Sequence, residues 1–177
     1  MYSKILVPLD GSEFAECSLA HVKSVATGCH VPEVVLLAVV EPPEESMPPF
    51  WGAVAGSQTR LEAEEMSVMT SAIDYAKMRS EQQAALKKKQ EEYAGGYIAK
   101  VAEGLTKEGL NITTCVVCGK PADSIINYAS DNGVDLIVMA SHGRGGSARW
   151  DIGKVADRVI RGSNIPVLMA SPAGCRV

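Results

Sequence analysis

The chain reads as an α/β protein: a single doubly wound domain with a five-stranded, mainly parallel sheet and a helical insertion. Two observations predict this. Four apolar runs, at residues 5–9, 34–40, 134–140 and 165–170, are continuous rather than alternating, the pattern of strands covered on both faces. Stretches with helical spacing lie between them, and strands alternating with helices wind into a parallel sheet.

The elements follow in order. Residues 5–9 form the first strand. Residues 13–27 carry Phe14, Leu19, Val22 and Val25 on one helical face, with Ser12 placed to cap the N-terminus. The second strand is the run 34–40. Residues 112–117, rich in β-branched side chains, add a fifth strand. Residues 121–132 read as a short helix, opened by Pro121 and stopped by Asn132-Gly133. Residues 153–162 form the last helix, with Val155, Val159 and Ile160 on its apolar face.

The insertion, at about 42–96, breaks this rhythm. Pro42-Pro43, Pro48-Pro49 and the glycines from Gly52 to Gly56 make a loop. A polar helical stretch follows from about residue 61 to 93, then Gly95-Gly96, then a further helix to about Lys107, ended by Gly109. Met66, Met69, Ile73 and Ala76 recur at helical spacing. An amphipathic helix packed on its own domain is the preferred reading, and an interaction arm or lid the alternative.

Composition narrows the function. The net charge of −4 gives no general attraction to nucleic acid or to an acidic membrane. Aromatics at 5% leave few stacking platforms for single strands. No apolar run reaches membrane-spanning length, and the opening Met-Tyr-Ser-Lys followed by a short apolar run does not resemble a signal peptide. The expectation is a cytoplasmic protein with reduced thiols at Cys17, Cys29, Cys115, Cys118 and Cys175. Cys115 and Cys118 do not make a metal or redox pair, because positions i and i+3 of a strand face opposite ways. His21, His30 and His142 are scattered.

The chemistry concentrates in residues 140–154, which leave a strand and enter a helix. Gly143, Gly145, Gly146 and Gly153 let backbone N–H groups approach an anion. The helix beginning near Gly153 adds free donors and the positive end of its dipole. Arg144, Arg149, Lys154, Arg158 and Arg161 outnumber Asp151 and Asp157. This is an anion site, but not a Walker loop: Ala148 stands five positions before Gly153, and Val155 follows Lys154. It is not a dinucleotide fingerprint either, since that motif follows the first strand of such a sheet.

The segment resembles the ATP-binding branch of the universal stress protein family, whose Gly-x2-Gly-x9-Gly-Ser/Thr pattern falls on Ala140, Gly143, Gly153 and Lys154. Two positions depart: alanine replaces the first glycine, and lysine replaces the hydroxyl residue. Residues 4–12, 36–40, 119–122 and 162–168 also resemble the family's segments. The resemblance implies a Rossmann-like, adenine nucleotide alpha hydrolase-like fold that binds ATP with Mg²⁺ or Mn²⁺ and hydrolyses it little. It implies an ATP-binding set of Pro8, Asp10, Val39, Ala140, His142, Gly143, Arg144, Gly153 and Lys154. It also implies a homodimer through the C-terminal strand, with a protein partner conceivable at 42–96. Two alternatives stay open: Asp10 caps the turn or faces adenosine, and Lys154 meets a phosphate or solvent. A dimeric interaction module without ATP is the rival function.

Overall fold

The computed structural model describes residues 2–42, 62–142 and 152–171, with backbone alone over 62–73. The chain divides into two units, Met1–Glu41 with Gln90–Val177, and Pro42–Lys89. The described elements are β1 (Lys4–Leu9), α1 (Glu13–Glu16), α2 (Ser18–Gly28), β2 (Glu33–Val40), α3 (Glu62–Lys107), β3 (Ile112–Cys118), α4 (Pro121–Asp131), β4 (Leu136–Ala140), α5 (Lys154–Gly162) and β5 (Val167–Ala170).

The five strands form one sheet in the order β3-β2-β1-β4-β5. Every pairing is parallel. Alternation along the strands sends successive residues to opposite faces. Ile5, Val7, Leu9, Val34, Leu36, Ala38, Leu136 and Val138 pack in one cluster with Ala15, Val22, Ala26, Ile98 and Leu105. Leu6, Val35, Leu37, Ile137 and Met139 pack in another with Ala122, Ile125, Ala129, Ala156 and Val159. Helices α1, α2 and the end of α3 therefore cover one face, and α4 with α5 the other. That double cover is why the runs carry no polar alternation.

Local chemistry sets the helix bounds. Ser12 caps α1, its Oγ accepting from Ala15 N–H at 3.1 Å. The expected helix over 13–27 is interrupted at Cys17 into α1 and α2. His30 takes the left-handed conformation, φ 53°, just past the end of α2. The pair Gly95-Gly96 does not break α3. Ala94, Tyr97, Ile98 and Val101 beside it pack on the first cluster, and tertiary burial there outweighs the helix cost of glycine, about 1 kcal/mol each. Farther along, Ala76 is exposed, as are Tyr75, Met78 and Leu86. The side chains of Met66, Met69 and Ile73 lie outside the described residues.

Cys29, Cys115 and Cys118 are free, whereas Cys17 is disulfide-bonded, which corrects the expectation of a reduced thiol there. Cys115 faces Tyr128 on α4; burial, and then the neighbouring thiol, push the Tyr128 hydroxyl above its ordinary range. Among the described residues no helix is long and apolar enough to cross a membrane.

A carboxylate clips the chain start to the sheet. Asp135 Oδ2 accepts from the backbone N–H of Ser3 and Lys4, while its own N–H donates to Lys4 O at 2.9 Å. The Ser3 and Lys4 N–H groups hold the carboxyl below its usual range. A depressed folded pKa contributes stability above the unfolded value, about 3.9, that is lost as pH falls through the folded one. Asp135→Asn should therefore be less stable than the parent at neutral pH. The gap should close as the pH drops below that window, as read by urea unfolding at several pH values.

Candidate functional site

Strand order reverses between β1 and β4, and in open parallel sheets ligands bind beyond the C-terminal strand ends at such a reversal. Pro8 marks the reversal. The carbonyl of Lys4 faces β4, since it accepts from Asp135 N–H, and by alternation the Pro8 nitrogen faces the same way. Proline has no hydrogen to donate there. The β1–β4 register covers Ile5↔Leu136 and Leu6↔Ile137, while β1–β2 pairing continues to Leu9↔Ala38. The hydrogen-bonded ladder between the two central strands thus stops short of their C-terminal ends.

Residues from several elements meet around this opening. Parity places Pro8 on the same sheet face as Leu6, and Val39 packs partly buried on that face with the cluster beneath α4 and α5. Ala140, 8% exposed, ends β4. Asp10 follows β1 and is exposed; its Oδ1 accepts from Ser12 N–H at 3.0 Å and Ser12 Oγ–H at 2.6 Å. The turn-capping role weighed for Asp10 is therefore present.

Ser141 is the hub. Its N–H donates to Ala170 O and its carbonyl accepts from Gly153 N–H, both at 2.8 Å. The first bond ties β4 to β5, and the second brings the start of α5 against the end of β4. Gly153 is the N-cap of α5, and with no side chain it leaves the first-turn N–H groups uncapped. Lys154 occupies the first helical position and is exposed. A cation there opposes the helix dipole, so a bound anion would relieve it.

Ser141 Oγ lies 3.0 Å from Nδ1 of His142. His142 Nε2 is buried with no hydrogen-bond partner among the described residues. A buried polar atom without a partner is uncommon and calls for one. Sequence reasoning omitted Ser141 from the site, although a serine following a fully buried strand and preceding a histidine was a visible signal.

Other expected members are distributed differently. Gly143 and Arg144 lie outside the described residues, as do Arg149 and Asp151. Arg158 pairs with Asp123 of α4 at 3.0 Å and Arg161 with Asp157 at 2.8 Å, so two cations of the basic segment are engaged in exposed ion pairs. Among the described residues no group of three His, Cys, Asp or Glu side chains is placed to hold a metal ion.

Gly119 borders the same end of the sheet, its N–H donating to Val40 O at 3.0 Å. Its φ is 159°, and an added Cβ would stand 2.6 Å from Ser124 Oγ. Gly119→Ala should destabilise by about 1 kcal/mol or more, because rotating Ser124 relieves the contact but not the backbone. Gly104 is exposed in the last turn of α3, and a methyl group added there would meet nothing within 4 Å. Gly104→Ala should stabilise by about 0.5 kcal/mol, less than the full helix-interior difference. Urea midpoints of the pair check both signs.

The model of the universal stress protein family matches residues 1–171. Universal stress protein MJ0577 of Methanocaldococcus jannaschii is 32% identical over 169 residues, 96% of this chain and 94% of that protein. The solved structure of MJ0577, at 32% identity, covers 97% of this chain and 96% of its own with a TM-score of 0.72. UspA from Lactobacillus plantarum shares the fold at 19% identity, with a TM-score of 0.67 over 95% of this chain and 97% of its own. A universal stress protein solved in complex with cAMP shares it at 18% identity, with a TM-score of 0.51 over 96% and 97%.

Proposed function

We propose that this chain, which belongs to the universal stress protein family, binds ATP at the β1–β4 reversal as a regulatory or structural ligand, with little or no hydrolysis. The observation that carries the reading is the Gly153 N–H to Ser141 carbonyl bond of 2.8 Å. Through it the uncapped start of α5 lies beside the C-terminal end of β4, at the reversal of strand order, where phosphate is favoured. The buried Nε2 of His142, without a hydrogen-bond partner among the described residues, fits the same ligand.

In this reading Pro8, Asp10 and Val39 meet adenosine, and Ala140 lies near ribose. His142, Gly143, Arg144, Gly153 and Lys154 surround the phosphates. Mg²⁺ or Mn²⁺ arrives as the counter-ion of the phosphate chain. Lys154 supplies a charge where the family pattern has a hydroxyl, so its contribution grows with the number of phosphates and is screened by salt. A cytoplasmic, homodimeric protein is part of the same proposal, with the outer edge of β5 available for pairing.

A second reading, an interaction module on the same fold without ATP, is favoured by the exposed Tyr75, Met78 and Leu86 of α3. Single exposed apolar residues are common on protein surfaces, so it ranks second.

The test is to denature freshly purified protein, identify released nucleotide by chromatography, and titrate the emptied protein with Mg-ATP by calorimetry, with cAMP as a competitor. Co-purified ATP or saturable heat is expected; neither appearing moves the assignment to the second reading. Gly153→Leu should weaken ATP by about tenfold or more, a loss of about 1.4 kcal/mol. Lys154→Ala should weaken ATP about three- to tenfold and AMP less, as expected for a partly exposed charged hydrogen bond. Equal losses for ATP and AMP would detach Lys154 from the terminal phosphates.

A further inference from the structure

We propose that Ser141 locks His142 in its Nε2–H tautomer, so that the imidazole is a neutral donor to a phosphate oxygen of the bound nucleotide. The donor half rests on the nucleotide reading; the tautomer half does not.

The inference comes from counting hydrogens. Ser141 is 7% exposed, and its backbone is held at both ends by the bonds to Ala170 and Gly153. The hydroxyl has Nδ1 of His142 within 3.0 Å, and among the described residues no other side-chain partner. A hydroxyl carries one hydrogen, and a neutral imidazole carries one hydrogen shared between two nitrogens. If Nδ1 bore the hydrogen and donated to Oγ, the buried serine hydrogen would have no acceptor and Nε2 would have no donor. If the serine donates to Nδ1, the hydrogen of the ring is forced onto Nε2, and Nε2–H alone is left unmatched. A buried polar group without a partner costs about 1–3 kcal/mol, so the second arrangement is favoured.

What remains is a buried N–H donor, on the residue after Ser141, close to the uncapped start of α5. A donor in that setting matches an acceptor oxygen rather than a cation, and the adjoining helix terminus favours an anionic one. Ser141 is thus a positioning residue that acts through His142, and the ligand contact belongs to the imidazole.

The test uses the full chain labelled with ¹⁵N-histidine, freed of nucleotide and held near pH ~8, where an imidazole is ordinarily neutral. Long-range proton–nitrogen correlation should show His142 Nε2 as the hydrogen-bearing nitrogen and Nδ1 as the accepting one. Ser141→Thr should preserve that pattern. Ser141→Ala, or Ser141→Cys if the alanine variant does not fold, should give a tautomer mixture. Saturating ADP should move the Nε2 resonance. In calorimetry, His142→Gln, whose amide reaches the Nε2 position, should bind ADP within about twofold of the parent. His142→Asn, whose amide reaches only the Nδ1 position, should lose about three- to tenfold. Both variants should bind adenosine like the parent, and Ser141→Ala added to His142→Asn should cost nothing further.

An Nδ1–H tautomer, or an unchanged spectrum in Ser141→Ala, would overturn the lock even in a protein that binds ATP. Full ADP affinity in His142→Asn, or an equal loss for adenosine, would overturn the phosphate contact. A parent that takes up no nucleotide while showing the Nε2–H tautomer removes the donor role together with the nucleotide reading, and leaves the lock standing.

Discussion

Strand β1 has a neighbour on each side and a helical layer on each face, and the layout of the molecule follows from that position. Its odd-numbered residues Ile5, Val7 and Leu9 fill one core cluster, and Leu6 fills the other. Right-handed crossovers put helices on both faces of a parallel sheet only when the chain winds outward from one strand in both directions, and here β2 and β3 lie to one side of β1 and β4 and β5 to the other. The crevice at its C-terminal end is therefore an outcome of connectivity. Pro8 withholds a hydrogen from the β4 side there, in a strand whose burial would otherwise argue against proline.

Around that crevice backbone groups set most of the geometry. Ser141 uses its N–H, its carbonyl and its hydroxyl to tie β5, α5 and His142 to one residue. Asp10 and Ser12 form a comparable relay at the end of β1, carboxylate to hydroxyl to the first turn of α1. Each fixes the start of a helix relative to the end of a strand. That geometry is what an anion site at a strand–helix junction requires. The backbone donors at the start of α5 do not depend on the side chain at the first helical position, where Lys154 stands.

Much of the fold was legible before any coordinates. The continuous apolar runs located four strands, because a strand covered on both faces leaves no polar alternation to confuse it with a loop, and β-branched residues marked the fifth. Ser12 announced the first helix through its capping chemistry, and Pro121 opened α4 at the expected residue. The misreadings have identifiable causes. Gly95-Gly96 looked like a break, but Ile98 and Leu105 anchor the helix around it in the core. The break at Cys17 within the first helical stretch left no local signal. The disulfide bond of Cys17 is not announced by the residues around it.

Fold class and family could both be read along one chain, because they rest on periodicity and on the spacing of glycines. Which residues stand together could not. Folding shows Asp10 bracing a turn, Arg158 and Arg161 held in ion pairs, and Ser141 joining three elements. A hydrogen bond is set by distance and direction between atoms brought together from remote points of the chain, and neither quantity is written in residue order. Ser141 and Gly153 stand twelve positions apart in the sequence and 2.8 Å apart between donor and acceptor, and the second separation exists only once the sheet has formed.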